Sequence, residues 1–141
     1  MKSRTKEFFL INIKSFAIYL LVTGFCSLLI VASWNTGNTN QVVRFTFYLA
    51  IIIYTISGFF LRIYSKWYEN VLSVSLVALF VMLFSSIKIG LFVNLPFLYV
   101  MGWTRDFDFA FLPLLTPLFP SLLLLIGLGL KYMSLTIINR K

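Results

Sequence analysis

Histidine is absent from this 141-residue chain, and cysteine occurs only once, as Cys26. Without histidine there can be no Ser-His-Asp triad, no histidine general base and no zinc site that needs an imidazole ligand. A single cysteine excludes an intramolecular disulfide and a thiolate cluster. The seven glycines form neither G-x-x-x-x-G-K-[ST] nor G-x-G-x-x-G, so no phosphate-binding loop is encoded. We therefore predict a protein that is not an enzyme and that holds no cofactor or metal.

Charged residues are also scarce, at 11% of the chain against about 25% in soluble domains. Hydrophobic residues make up 60% and aromatic residues 18%. Four apolar stretches are each roughly 20 residues long, which is enough to cross a hydrocarbon core of about 30 Å. The remaining residues are too few for a separate soluble domain. The composition predicts one polytopic domain, residues 1–141, in the cell membrane.

The pattern predicts an all-α membrane protein built as a bundle of four transmembrane helices. The predicted spans are residues 15–34, 42–61, 71–87 and 111–130. The fourth span is placed by Lys131, which is expected at the headgroup level. Pro113, Pro117 and Pro120 then fall in its outer part, where proline should kink the helix. A start at Pro120 would suit proline's preference for a first turn, but it would leave Lys131 only about 17 Å inside the membrane.

The basic residues predict the orientation of the bundle. Four crossings put both termini on one side, and nine of the twelve Lys and Arg residues fall there. These nine are Lys2, Arg4, Lys6, Lys14, Arg62, Lys66, Lys131, Arg140 and Lys141, whereas Arg44, Lys88 and Arg105 fall on the other side. The positive-inside rule makes both termini cytoplasmic. This placement explains the net charge of +8 by anionic lipid rather than nucleic acid.

An outer segment, residues 88–110, connects the third and fourth predicted helices. Pro96 and Gly102 interrupt its apolar run, which is too short for a fifth span. We expect an interfacial or re-entrant segment, whose backbone must be covered by protein or water because lipid offers no hydrogen bonds.

Residues 88–120 contain all four prolines and the candidate interaction residues. These candidates are Trp103, Arg105, Asp106, Phe107, Asp108, Phe109, Pro117 and Pro120. Asp106 and Asp108 would point to one face of an extended segment, where they could pair with a cationic partner or hold a divalent cation with lipid phosphate. The same charges could serve only to keep an outer loop soluble. The aromatic residues suit a membrane interface or a cleft beneath the prolines.

No predicted span has a charged residue near its centre, and such residues are usual in proton-coupled pumps and ion transporters. The length and four-span layout resemble the small multidrug transporter family. The membrane-embedded glutamate of that family has no counterpart in residues 15–34, so its activity is not carried over. Thr23-x-x-x-Ser27 is a pair of small residues that permits close helix contact.

The hypothesis that fits these observations is a small membrane protein that acts by contact. It would be an accessory or regulatory subunit or an immunity-type protein, with residues 88–120 as the interaction surface. One alternative is a homo-oligomeric transporter or lipid-translocating protein. A second is a metal-dependent membrane enzyme using Asp106 and Asp108. The expected partners are the lipid bilayer and a membrane protein or a second copy of the chain.

Overall fold

The computed structural model describes residues 2–64, 66–85, 95–97, 99–100 and 116–138. These residues contain five α-helices: α1 (Lys2–Ser33), α2 (Thr39–Phe59), α3 (Trp67–Leu72), α4 (Ser75–Ser85) and α5 (Phe119–Ile138). Two short 3-10 turns occur at Leu95–Phe97 and Thr116–Leu118, and Tyr99 and Val100 are also helical. No strand occurs among the described residues, and the prediction of an all-helical fold is confirmed.

In the part of the chain that the structure describes, three helices are long and apolar enough to cross a membrane, as expected of a multi-pass membrane protein. They are Asn12–Ser33 within α1, Thr39–Phe59 and Phe119–Ile137. The third predicted span, residues 71–87, differs from the structure. Its helix is interrupted after Leu72, and the structure describes the apolar helix that follows as far as Ser85.

Helices α1 and α2 form an antiparallel hairpin. The chain reverses at a tight turn in which Gly37 has a φ of +72°, a conformation that L side chains rarely adopt. The Thr39 hydroxyl closes the turn by donating to the Ser33 carbonyl at 3.1 Å. Further along the hairpin, the Thr23 and Tyr54 hydroxyl oxygens lie 2.7 Å apart.

Helices α2 and α5 pack closely through two glycines. A Cβ on Gly58 would collide with the backbone of Leu124, and a Cβ on Gly127 would collide with the Thr55 carbonyl. The backbones of the two helices are therefore in direct contact. This is how small residues let helices associate in a bilayer, where burying apolar side chains gives little gain over lipid.

The fourth predicted span, residues 111–130, needs correction. The α-helix begins at Phe119, with Pro120 in its first turn, and it continues past Lys131 to Ile138. The Lys131 ammonium, half-buried, donates to the Leu61 carbonyl at 2.8 Å. That carbonyl, just past the end of α2, stabilises a cation that the prediction assigned to lipid headgroups. Residues 111–115 lie outside the described part of the chain.

Helices α2 and α5 run in the same direction. Lys131 of α5 lies beside Leu61, just past the end of α2. Phe97 contacts both Tyr54, nearer the middle of α2, and Phe119, the first residue of α5. Because α1 and α2 are antiparallel, Lys14 lies at the same end of the bundle as Leu61. We call this the basic end, defined by Lys14, Arg62, Lys66 and Lys131. Apart from Lys131 these side chains are exposed.

Polar side chains on α1 form hydrogen bonds with the backbone where α3 ends and α4 begins. The Ser15 hydroxyl oxygen lies 2.9 Å from the carbonyl oxygens of Asn12 and Ser73, so its one proton is shared between them. The Asn12 side-chain oxygen accepts from the Leu76 backbone N–H at 3.3 Å. Leu76 is in the first turn of α4, where backbone N–H groups have no partner within the helix. Asn12 therefore caps α4 from a neighbouring helix.

Candidate functional site

The two 3-10 turns lie in the core of the bundle. Leu95, Pro96 and Phe97 are all buried, and the turn they form packs against α1 and α2. The second turn packs against α4 and α5, and its Thr116 is fully buried. Backbone that is not α-helical is tolerated at membrane depth only where protein or water covers it. The first turn meets this condition at all three residues, and the second turn meets it at Thr116.

Phe97 is the side chain that fixes the first turn. Its ring stacks on Tyr54 at 6.1 Å and on Phe119 at 5.7 Å between ring centroids. It also meets Phe47 edge to face at 6.2 Å. Phe47 and Tyr54 lie on either side of the midpoint of α2, so the turn reaches half-way along this helix. Aromatic pairs of this geometry contribute about 0.5–1.5 kcal/mol each beyond their buried area.

A cluster of hydroxyl groups lies next to this aromatic contact. The fully buried Tyr54 hydroxyl donates to the Tyr19 backbone carbonyl at 3.2 Å and is 2.7 Å from the Thr23 hydroxyl. One chain of hydrogen bonds accounts for both distances, with Thr23 donating to Tyr54. Interhelical bonds of this kind contribute about 0.6 kcal/mol on average inside a membrane. They set the register of α1 against α2.

A groove of about 480 Å³ opens on α1 beside this cluster. It is lined by residues including Tyr19, Thr23, Gly24, Ser27, Phe80 and Leu95. Thr23 and Ser27 are the pair that the sequence marked for helix contact. Both residues line the open groove, and Thr23 is also bonded within the bundle to Tyr54.

Most of the predicted interaction residues lie outside the described part of the chain. Trp103, Arg105, Asp106, Phe107, Asp108 and Phe109 all fall there. Pro117 belongs to the second 3-10 turn, and Pro120 is buried in the first turn of α5. The structure thus describes the two ends of the predicted surface. Among the described residues, no group of three or more His, Cys, Asp or Glu side chains could hold a metal ion.

Four features important for the fold were missed by sequence reasoning. Gly58 and Gly127 are single glycines on separate helices, so no local motif pairs them. Asn12, a polar residue within a long apolar helix, was the available signal for a buried contact, because such groups must find a partner in a membrane. Lys131 was interpreted as a membrane boundary, and its hydrogen bond to the Leu61 carbonyl was not predicted. Phe97 falls in the predicted outer segment, residues 88–110, and nothing in its local sequence indicated that it is buried in the core.

Comparisons with protein-family models, with curated proteins and with solved structures found no match for this chain.

Proposed function

We propose that this chain is a cell-membrane protein that acts by contact, as an accessory or regulatory subunit or an immunity-type protein. In this proposal residues 101–115, with the candidate residues Trp103, Arg105, Asp106, Phe107, Asp108 and Phe109, form the surface that meets a partner. The chain crosses the membrane four times, with both termini in the cytoplasm. The segment between α4 and α5 is re-entrant or interfacial on the outer side.

The observation that carries the proposal is the burial of one residue on each of the two 3-10 turns that bracket this stretch. Phe97 on one side and Thr116 on the other are each at most 1% exposed. A segment whose two ends are fixed loses less conformational entropy when a partner binds than a segment with free ends. Fixed ends therefore favour a recognition surface over a loop that serves only solubility.

The directions of the helices support the proposed threading. Helices α2 and α5 run in parallel, so the chain between them has to return across the bundle before α5 begins. With the part of α1 that precedes Lys14, the basic end carries seven described cations and two described acids, Glu7 and Glu69, whereas Arg44 is the described cation nearer the other end. By the positive-inside rule the basic end faces the cytoplasm.

The charges of the described spans favour contact over ion coupling. Among the cations whose exposure the structure describes, Lys131 is the one that is not exposed, and its ammonium is bound to a backbone carbonyl near the end of α2. Proton relays and ion paths place ionisable side chains along the interior of a bundle. No such series lies among the residues that the structure describes.

Photo-crosslinking in native membranes tests the proposal. A photoreactive phenylalanine analogue at Phe107 should capture one membrane protein as a dominant product, and the same analogue at Leu21, an exposed residue of α1, should not. The double variant Asp106→Asn, Asp108→Asn should reduce capture at Phe107 at least fivefold, whereas Glu69→Gln should not. Equal capture at Phe107 and Leu21 would contradict the proposal. Solute or lipid flux in vesicles containing this protein alone would favour the transporter alternative.

A further inference from the structure

A second groove lies between α3 and α5, away from the surface proposed above. Its volume is about 540 Å³, within the range of small-molecule sites. The lining includes Trp67, Leu122, Ile126, Gly129, Tyr132 and Met133. Trp67 comes from α3 and the others from α5, and their side chains are almost entirely apolar.

The length and direction of this groove match one leaflet of a membrane. Along α5 it extends from Leu122 to Met133, which is about 16 Å of helix. One half of a hydrocarbon core is about 15 Å thick. Met133 lies close to Lys131 and hence at the basic end, whereas Leu122 lies towards the middle of the bundle. The groove thus leads from the basic end into the hydrocarbon layer, as an acyl chain does.

The mouth of the groove combines amphipathic aromatic residues with positive charge. Trp67 is 58% exposed and Tyr132 is 52% exposed, as expected for side chains at a headgroup layer. Lys66 directly precedes Trp67, and its exposed ammonium lies 5.6 Å from the Tyr68 ring centroid. Lys131 has three N–H donors, and one of them bonds to the Leu61 carbonyl. Glu7 on α1 and Glu69 on α3 are the described acids at this end, and they leave the cations in excess.

From this juxtaposition of an apolar groove and a cationic mouth we infer a binding site for an anionic glycerophospholipid. One acyl chain lies in the groove between α3 and α5, and the phosphate headgroup lies near Lys66. An apolar helix could fill the groove, but it would not use the charge at the mouth. The inference does not rest on the proposed function, which concerns the other part of the molecule.

The chain offers a matched pair of variants for the acyl-chain part of the site. A Cβ placed on Gly129 or on Gly24 meets no atom within 4 Å, so both positions have open space. Gly129→Leu fills the α3–α5 groove, whereas Gly24→Leu fills the groove on α1. Neither substitution forces the backbone contacts of the fold to move.

Binding is measured by native mass spectrometry of the full-length protein in detergent, with dioleoyl phosphatidylglycerol as the probe and dioleoyl phosphatidylcholine as the neutral reference. The wild type should retain one phosphatidylglycerol molecule in preference to phosphatidylcholine. Gly129→Leu should lower retention at least tenfold, and Gly24→Leu should leave it unchanged. Equal retention of the two lipids by the wild type would overturn the inference, as would loss in Gly24→Leu but not in Gly129→Leu.

Charge variants test the headgroup part of the site. Lys66→Gln should reduce the preference for phosphatidylglycerol about fivefold, since a basic residue near the membrane surface contributes about 1 kcal/mol. Arg44→Gln, an exposed cation away from the basic end, should leave the preference unchanged. A groove used instead by a second copy of the chain would appear as a dimer that Gly129→Leu dissociates, and this result would also overturn the inference.

Discussion

Single residues set the closest contacts in this bundle. Gly58 and Gly127 let the backbones of α2 and α5 touch, and no side chain larger than hydrogen fits at either position. Gly129, two residues further along α5, faces open space instead. The same residue type therefore has opposite roles on one helix. Local sequence does not distinguish them, because the difference depends on which neighbour each glycine faces.

Alanine at the two α5 glycines should separate these roles. Gly127→Ala places a methyl group against the Thr55 carbonyl, and forcing atoms into a packed contact costs about 1–3 kcal/mol. We expect its thermal unfolding midpoint in detergent to fall clearly below that of the wild type. Gly129→Ala, the control, should match or slightly exceed the wild type, because alanine favours helix over glycine. Equal midpoints for the two variants would contradict the direct contact of α2 and α5.

At the scale of elements, the sequence predicted helices well and their ends less well. Apolar length alone places α2 and the apolar part of α1, Asn12–Ser33, close to their observed positions, because a long apolar run in a membrane has no alternative to helix. It did not predict that α1 begins at Lys2. The ends of α4 and α5 depend instead on groups from other helices. Asn12 of α1 caps α4, and the Leu61 carbonyl lets α5 continue past Lys131. Such contacts between distant residues leave no periodic pattern to read.

The cap on α4 can be tested through backbone amide exchange. Asn12→Ala removes the acceptor of the Leu76 N–H, and losing a cap costs about 1 kcal/mol. We expect faster hydrogen–deuterium exchange at Leu76 and its neighbours in the first turn of α4. Ser75→Ala serves as the control, because the Ser75 hydroxyl bonds only the nearby Leu72 carbonyl. Unchanged exchange in Asn12→Ala would show that the contact does not protect α4.

For the molecule as a whole, composition was the strongest guide. It predicted a multi-pass helical membrane protein, and three long apolar helices agree with it. It could not predict that Phe97 reaches the middle of the bundle, because an interfacial and a buried phenylalanine have the same local pattern. The predicted acidic surface around Asp106 and Asp108 stays a prediction, since those residues lie outside the described ranges.

Cysteine labelling on intact cells tests the orientation. A membrane-impermeant maleimide should label Asn35→Cys, which lies in the exposed turn between α1 and α2. It should label Lys66→Cys at the basic end only after permeabilisation. The wild type provides the baseline, because its one cysteine, Cys26, is fully buried. Labelling of Lys66→Cys on intact cells, without labelling of Asn35→Cys, would reverse the orientation.

The bond between Lys131 and the Leu61 carbonyl has a consequence for biosynthesis. From Phe119 to Lys131, α5 offers only about 18 Å of helix before it meets a positive charge. This is less than the hydrocarbon thickness. If α5 left the translocon alone, the Lys131 ammonium would therefore enter lipid, at a cost of about 2.5–3.5 kcal/mol. Helix α2, synthesised earlier, provides the carbonyl that offsets this cost. We therefore expect α5 to insert into the membrane only when α2 is already present beside it.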